Sequence, residues 1–206
     1  MNTKTKKYRP TQQERSAKSE TRILDAAQDL FSKKGFERTR TSDIIAQAGC
    51  SNGAFFYRFG SKREVFDVML SRYIELRNQT LVAANFSRSV HGNVRSLLEN
   101  HTATSMSYMR GNHGVYRAAQ EISVMDKDVW RELTDLSVLT GEQVKLVAEE
   151  YADEITAENP TAALQYALQT VIMITLQTTL GAGPLFPKDL DELRDVIVKA
   201  ALGTLA

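Results

Sequence analysis

The sequence predicts an all-α protein on three grounds. Apolar residues recur at intervals of three and four along most of the 206 residues, which is the spacing of one helix face. No convincing run alternates apolar and polar residues as a half-buried strand does. None of the four prolines interrupts a strong helical stripe. The composition, 42% hydrophobic and 25% charged, is that of a globular chain and excludes a wholly disordered or fibrous protein.

The chain is expected to begin with a basic arm and a long helix. Residues 1–19 carry six Lys and Arg side chains but few apolar ones, which indicates a flexible arm. This arm could follow a minor groove of DNA or serve only as a solubilising tail. From Thr21, an apolar stripe that includes Ile23, Leu30 and Phe31 predicts an amphipathic helix, which Gly35 ends.

Two short helices are expected next. Thr41 or Ser42 would cap the first, and Gly49 would end it. Ser51 would cap the second, over residues 52–58. Two short helices separated by a glycine turn, with a helix on either side, are the parts of a helix-turn-helix.

The rest of the chain is expected to be helical. Ser61 and Glu64 have the spacing of a capping box, which predicts the start of a long helix. Beyond it, the helical period and the breakers between segments predict five further helices, over residues 88–110, 114–122, 126–154, 160–181 and 188–204.

The second short helix has a composition that suits the major groove of DNA. Its first four residues are small or short: Ser51, Asn52, Gly53 and Ala54. They let the helix N-terminus approach phosphate closely. Asn52 can read adenine, and Arg40 or Arg58 can reach guanine or phosphate. Phe55 and Phe59 would anchor this helix to the core. The alternative is a helical hairpin whose small residues only permit tight packing.

The distribution of charge agrees with a nucleic-acid partner for the N-terminal part alone. Residues 1–65 hold 14 Lys and Arg against 7 Asp and Glu, whereas residues 66–206 hold 12 against 18. A basic third joined to an acidic remainder suggests that only the first part meets a polyanion. A solvated charged face would give the same counts.

Residues 23–66, about a fifth of the chain, resemble the N-terminal DNA-binding domain of TetR-type transcriptional regulators. The matching positions are the stripe Ile23, Ala26, Ala27, Leu30 and Phe31, then Gly35, Thr41, Ile44, Ala48, Gly49, Ser51, Gly53, Phe59, Ser61 and Lys62.

The resemblance implies roles for individual side chains. Thr41 matches a residue that caps the first helix of the motif and touches phosphate, and Lys62 matches a phosphate contact. The first four residues of the second helix match positions that contact bases and phosphates. Tyr57 and Arg58 match positions near the DNA backbone. Phe56 stands where the family usually has tyrosine, so that phosphate contact is lost or passes to Tyr57.

In proteins that this chain resembles, the later helices bind a small molecule and form a dimer. The apolar stripes of residues 160–181 and 188–204 need cover, so we expect a homodimer through the last two helices, with a monomer core as the alternative. Aromatic, flexible and hydrogen-bonding side chains are the candidate ligand pocket: Tyr73, His101, Met106, Tyr108, Met109, Tyr116, Trp130, Met173 and Gln177. Such a lining suits an apolar or aromatic effector.

We therefore predict a basic arm (1–19), a three-helix helix-turn-helix domain (20–65) and a larger helical domain for ligand binding and dimerisation (66–206). The predicted function is a transcriptional regulator, a repressor that a small molecule releases from a palindromic double-stranded DNA operator. A helical enzyme or a protein-interaction module using the same apolar cavity is the alternative.

Other classes of chemistry lack support in the sequence. No catalytic constellation, metal-ligand spacing or cofactor fingerprint is present, so we expect neither an enzyme nor a cofactor. No apolar run approaches the ~18–20 residues of a membrane span, and the N-terminus does not have the pattern of a signal peptide. Cys50 is the single cysteine, which suits a reducing compartment. The expected location is the cytoplasm.

Overall fold

The computed structural model describes the backbone of residues 12–206 and the side chains of residues 17–206. The described backbone is helical and contains no strand, so the all-α prediction is confirmed. The helices are α1 (Gln12–Lys34), α2 (Thr41–Ala48), α3 (Asn52–Phe56), α4 (Lys62–Val82), α5 (Arg88–His91), α6 (Val94–Gly111), α7 (His113–Ile122), α8 (Lys127–Lys145), α9 (Pro160–Thr179) and α10 (Leu190–Leu202). Two 3₁₀ segments cover Ala148–Glu154 and Gly203–Leu205.

The first helix begins earlier than the sequence predicted. Residues 12–19 belong to α1, so the expected arm over 1–19 is wrong for this part. The physical reason is that Gln, Glu, Arg, Ala and Lys sustain a helix without an apolar stripe when no Gly or Pro intervenes. Residues 1–11, the remainder of the predicted arm, lie outside the described residues.

The helix-turn-helix elements share one apolar core. Ile23 of α1, Ile44 of α2 and Phe55 of α3 are fully buried. Phe59 joins them, with its ring centroid 5.9 Å from that of Phe55. The predicted anchoring of the second short helix by Phe55 and Phe59 is therefore confirmed.

Helix α9 lies at the centre of the larger domain. It packs against α6, α8, α10 and the Ala148–Glu154 segment. Its residues Leu164, Leu168 and Val171 are buried within the chain, as are Leu193 and Ile197 of α10. The apolar circumference that suggested a partner is thus largely covered by the chain itself, and the dimer stays a prediction.

Two of the predicted long segments are interrupted. The segment 88–110 breaks at Gly92, whose φ of +78° lies in the left-handed region, and Asn93 caps α6 by accepting a hydrogen bond from the Ser96 N–H at 2.9 Å. The segment 126–154 ends as an α-helix at Lys145. The 3₁₀ segment that follows buries Tyr151, whose hydroxyl donates to the Phe86 carbonyl at 2.8 Å.

Helices α4 and α7 connect the two parts of the molecule. Helix α4 begins beside the helix-turn-helix and continues into the larger domain, while α7 packs against α1, α4 and α8. In the part of the chain that the structure describes, no helix combines the length and apolar character needed to cross a bilayer.

Candidate nucleic-acid interface and adjoining cavity

The N-terminal end of α3 is an exposed surface of short side chains. Ser51 caps the helix, because its Oγ accepts a hydrogen bond from the Ala54 N–H at 3.2 Å. Ser51, Asn52 and Gly53 are exposed and Ala54 is half-buried, whereas Phe55 beneath them is fully buried. The helix therefore has one face fixed in the core and its small residues outward, as entry into a major groove requires.

Two aromatic residues extend this surface at the C-terminal end of α3. Phe56 is 56% exposed and Tyr57 is 87% exposed. The ring of Phe56 meets the buried Phe55 edge-on, with centroids 5.3 Å apart. Tyr57 therefore offers a hydroxyl to solvent one position after the phenylalanine that lacks one.

The start of α2 is capped differently from the sequence prediction. Thr41 is the first helical residue and Ser42 the second, so neither is the cap. The Asp43 carboxylate instead accepts a hydrogen bond from the Arg40 N–H at 3.2 Å, which satisfies a backbone donor without a hydroxyl. This bond, with help from Lys34, lowers the pKa of Asp43. The Arg40 side chain is exposed, and Thr41 is half-buried.

Arg58 is held against α1. Its guanidinium donates to the Glu20 carboxylate at 3.2 Å, and its side chain is only 13% exposed. Arg72 of α4 pairs with the same carboxylate. Glu20 thus connects α1, the segment after α3, and α4. This favours a positioning role for Arg58 over the guanine contact expected from the sequence.

Lys62 is also engaged within the domain. Its ammonium donates to the carbonyl oxygens of Phe36 at 2.7 Å, Thr39 at 3.0 Å and Glu37 at 3.3 Å. It also lies 4.2 Å from the centroid of the Phe36 ring. An ammonium has three N–H donors, so these bonds use all of them. The expected phosphate contact would require Lys62 to leave the α1–α2 loop.

The larger domain encloses a cavity of about 320 Å³. Eight of the nine predicted pocket residues line it: Tyr73, His101, Tyr108, Met109, Tyr116, Trp130, Met173 and Gln177. Met106 does not; it packs in the core cluster that α6 shares with α9 and α10. The reason is helix geometry, since successive residues of an α-helix are about 100° apart, so that Met106 points away from the cavity that the preceding Ser105 lines.

Sequence reasoning missed Arg77 as a lining residue. The other missed side chains are Leu81, Ser105, Leu133, Thr134, Leu136, Ser137, Thr140, Gln169, Ile172 and Leu176. Arg77 lies four residues after Tyr73 and four before Leu81, so it falls on the buried stripe of α4. A charged residue within an apolar stripe is the sequence feature that could have identified it.

Polar groups cluster on one side of the cavity. The hydroxyls of Tyr73 and Tyr116 are 2.6 Å apart. The Arg77 guanidinium lies 4.1 Å from the centroid of the Tyr108 ring. The Nε2 atom of His101 is buried without a hydrogen-bond partner. Burial, with a smaller effect of the Arg77 charge, lowers the pKa of His101 to about 4.

Helix α7 joins this cavity to α1. Tyr116 lines the cavity, and the next residue, Arg117, donates to the Ser32 and Lys33 carbonyls at 2.8 and 3.1 Å. His113 Nδ1 lies 2.8 Å from the Ser32 hydroxyl. These contacts fix α7 to the C-terminal half of α1, so a shift of α7 would be transmitted to the helix-turn-helix.

No group of three or more His, Cys, Asp or Glu side chains is placed to hold a metal ion in the described part of the chain. His113 lies at the α1–α7 contact, while His91 bonds the Asn85 carbonyl at 2.9 Å. Only His101, of the three histidines, reaches the cavity.

Comparison with known proteins identifies similar sequences and folds. Residues 23–69 match the family model of bacterial regulatory proteins, tetR family. The chain is 29% identical over 86 residues to YfiR of Bacillus subtilis, an uncharacterized HTH-type transcriptional regulator, which covers 42% of each chain. It is 27% identical over 142 residues to an uncharacterized HTH-type transcriptional regulator of Lactococcus lactis, which covers 60% of this chain and 71% of that one.

The fold is also similar to that of a solved structure. A bacterial regulatory protein in the tetR family from Rhodococcus RHA1 superposes with a TM-score of 0.66 at 18% identity, covering 91% of this chain and 97% of that one. The family-model match is confined to residues 23–69, whereas the similarity of fold extends over both parts of the molecule.

Proposed function

We propose that this chain, a TetR-type transcriptional regulator with a DNA-binding helix-turn-helix, is a repressor whose DNA affinity is controlled by a ligand in the cavity. One observation carries the proposal. Helix α4 begins at Lys62, which holds the α1–α2 loop, and the same helix supplies Tyr73 and Arg77 to the cavity wall. A change at the cavity therefore has a direct structural route to the DNA-binding domain.

The proposed DNA surface is the exposed end of α3 together with the start of α2. The residues proposed to contact bases or phosphates are Arg40, Thr41, Ser51, Asn52, Gly53, Ala54, Phe56 and Tyr57. Asn52 would read a base edge, because a side-chain amide can bond adenine in the major groove. Arg58 and Lys62 would hold this surface in place through their bonds to Glu20 and the α1–α2 loop, respectively.

We propose that the protein acts as a homodimer on a roughly palindromic operator. Exposed apolar side chains on α8 and α9 support self-association: Val138 is 63% exposed, Tyr166 64% and Met173 55%. On α10, by contrast, the apolar stripe is mostly buried and Leu190 is the large apolar side chain left exposed. The last two helices remain the proposed interface, and α8 would add to it.

Repression would be relieved by a shift between two arrangements of the chain. A ligand that fits the cavity better in one arrangement of α4 and α7 would favour that arrangement. The two copies of α3 in a dimer would then no longer fit into successive major grooves, so DNA affinity would fall. The size of this effect is set by the difference in ligand affinity between the two arrangements.

Selection of duplexes from a random DNA pool tests the DNA function. The wild-type protein should enrich a palindromic site, and its affinity should fall steeply as salt is raised. The Asn52→Ala variant should lose preference at particular base pairs, worth about 1–3 kcal/mol each. Asn78→Ala, exposed on α4, is the matched control and should select the same site as the wild type.

A negative result in this selection would contradict the proposed DNA function. A folded wild-type protein that enriches no sequence, even at low salt, would overturn the proposal. The helix-turn-helix would then serve as a protein-docking module instead.

A further inference from the structure

We propose that the cavity binds an organic anion, whose carboxylate pairs with Arg77 beside His101 and whose apolar body contacts the remaining walls. This inference rests on the proposed function in taking the cavity as the effector site. It goes further by assigning the charge of the ligand and the side chains that recognise it.

Arg77 is a buried cation with no opposing charge among the residues that the structure describes. Its side chain is 8% exposed, and no described residue forms an ion pair with it. Its contacts are neutral: the face of Tyr108, the Tyr73 hydroxyl, and the Thr80 hydroxyl, which accepts a hydrogen bond at 3.2 Å. Burying a charge is costly unless an opposite charge compensates it, so a bound anion would supply the negative charge that the described side chains do not.

The polar part of the cavity wall carries one positive charge and no negative one. Its lining contains Arg77 but no Asp or Glu from any of the helices that contribute to it. Tyr73 and Tyr116 add hydroxyls, and burial raises the pKa of both, so they stay neutral. A carboxylate placed here would meet a cation and neutral hydrogen-bonding groups, without repulsion from a protein carboxylate.

His101 provides a second, independent indication of a ligand. Its side chain is 6% exposed, yet its Nε2 atom has no hydrogen-bond partner. Buried polar atoms in folded proteins are nearly always satisfied, so an unpaired nitrogen on a cavity wall points to a missing partner. The neutral imidazole can donate from Nε2 to a carboxylate oxygen.

The remainder of the wall determines the body of the ligand. Trp130, Leu133, Leu136, Ile172 and Leu176 give it apolar and aromatic surface. A volume of about 320 Å³ lies at the lower end of the range for small-molecule sites. The site therefore suits a medium-chain or bicyclic carboxylic acid, and the apolar or aromatic effector expected from the sequence acquires a charged group.

Matched pairs of acids and neutral analogues test the inference without any mutation. Isothermal titration calorimetry on the full chain, in the absence of DNA, would compare decanoate with decan-1-ol and 2-naphthoate with 2-naphthamide. In at least one pair the acid should bind ten-fold or more tightly than its neutral analogue. Neutral analogues that bind as tightly as the acids, or acids that fail to bind, would overturn the inference.

Substitutions locate the site of the carboxylate. Arg77→Gln should weaken acid binding at least ten-fold and leave binding of the neutral analogue unchanged, with folding checked by circular dichroism. Arg110→Gln, at an exposed position on α6, is the matched control and should bind like the wild type. If Arg77→Gln does not fold, His101→Gln takes its place, and a variant that binds the acid as tightly as the wild type argues against the assignment.

The outcome separates this inference from the proposed function. Acid binding that depends on Arg77 but leaves DNA affinity unchanged would support the ligand class and contradict the effector role. DNA release by neutral compounds alone would support the effector role of the cavity and contradict the ligand class.

Discussion

Lys62 is a residue whose bonding within the chain changes what its substitution should do. In the structure its three N–H donors are all taken by carbonyls of the α1–α2 loop, so its role is to hold that loop against α4. Removing a charged donor costs about 1.5–3 kcal/mol where the acceptors that it leaves can bond water instead. Lys62 thus stabilises the loop that adjoins the proposed DNA-binding surface.

We expect Lys62→Ala to lower the free energy of unfolding by about 1.5–3 kcal/mol, measured by chemical denaturation. Among the folded molecules, the salt dependence of DNA binding should be unchanged, because no phosphate contact is removed. The control is Lys33→Ala, whose side chain is 69% exposed in an ion pair with Asp29 and should change stability little. A salt slope reduced by about one in Lys62→Ala would assign the residue to phosphate instead.

His101 should make stability depend on pH. Its pKa is about 4 in the folded chain and about 6.5 when unfolded, so the unfolded chain binds more protons between these values. The contribution of the neutral His101 to the free energy of unfolding is therefore fully present above pH 6.5. It is lost as the pH falls towards 4, by up to about 3 kcal/mol. The charged group beside it on the cavity wall is Arg77, which acts in the same direction.

Denaturation at several pH values between 7 and 4.5 checks this expectation. The His101→Gln variant should lose much of the decline that the wild type shows, whereas His91→Gln, outside the cavity, should keep it. A wild-type protein equally stable across this range would contradict the burial of a neutral imidazole.

At the scale of elements, α1 and α7 are in close contact. A Cβ atom at Gly114 would lie 2.3 Å from the Gln28 carbonyl oxygen, so only glycine allows this approach. Glu121, at the other end of α7, accepts a hydrogen bond from the Glu37 N–H at 2.8 Å. Both ends of α7 are therefore attached to the DNA-binding domain.

We predict that Gly114→Ala forces α1 and α7 apart, lowering stability by about 1–3 kcal/mol and weakening DNA binding. Gly111→Ala is the matched control, because nothing lies within 4 Å of a Cβ there. Denaturation and anisotropy of a labelled duplex measure the two effects. If both variants behave like the wild type, the α1–α7 contact does not position the helix-turn-helix.

The elements also indicate how far sequence can determine this fold. The helix-turn-helix is predictable because its caps and core are local: Ser51 and Ser61 accept hydrogen bonds from backbone N–H groups three residues on, as their spacing indicates. The bonds that Arg58 and Lys62 make within the domain could not be predicted, because their partners, Glu20 and the α1–α2 loop, are more than 20 residues away. Periodicity also averages over single residues, so neither the break at Gly92 nor the buried Arg77 was found.

At the scale of the molecule, simultaneous DNA contact by two helix-turn-helix domains depends on self-association. Tyr166 is large, apolar and 64% exposed at the surface of α9. We expect Tyr166→Glu to shift the protein from dimer towards monomer in sedimentation velocity, because a buried carboxylate would be unpaired at the interface. Val124→Glu, at a more exposed site between α7 and α8, should remain dimeric. A wild-type protein that sediments as a monomer at all concentrations would contradict the dimer.

An occupied cavity is proposed to weaken DNA binding. The most direct measurement is the affinity for the selected duplex with and without a saturating acid, decanoate or 2-naphthoate, that calorimetry has shown to bind. We predict at least a ten-fold loss of DNA affinity when the cavity is filled, with an equal loss of acid affinity when DNA is bound, as linkage requires. A ligand-saturated protein that binds the duplex as tightly as the free protein would contradict the account.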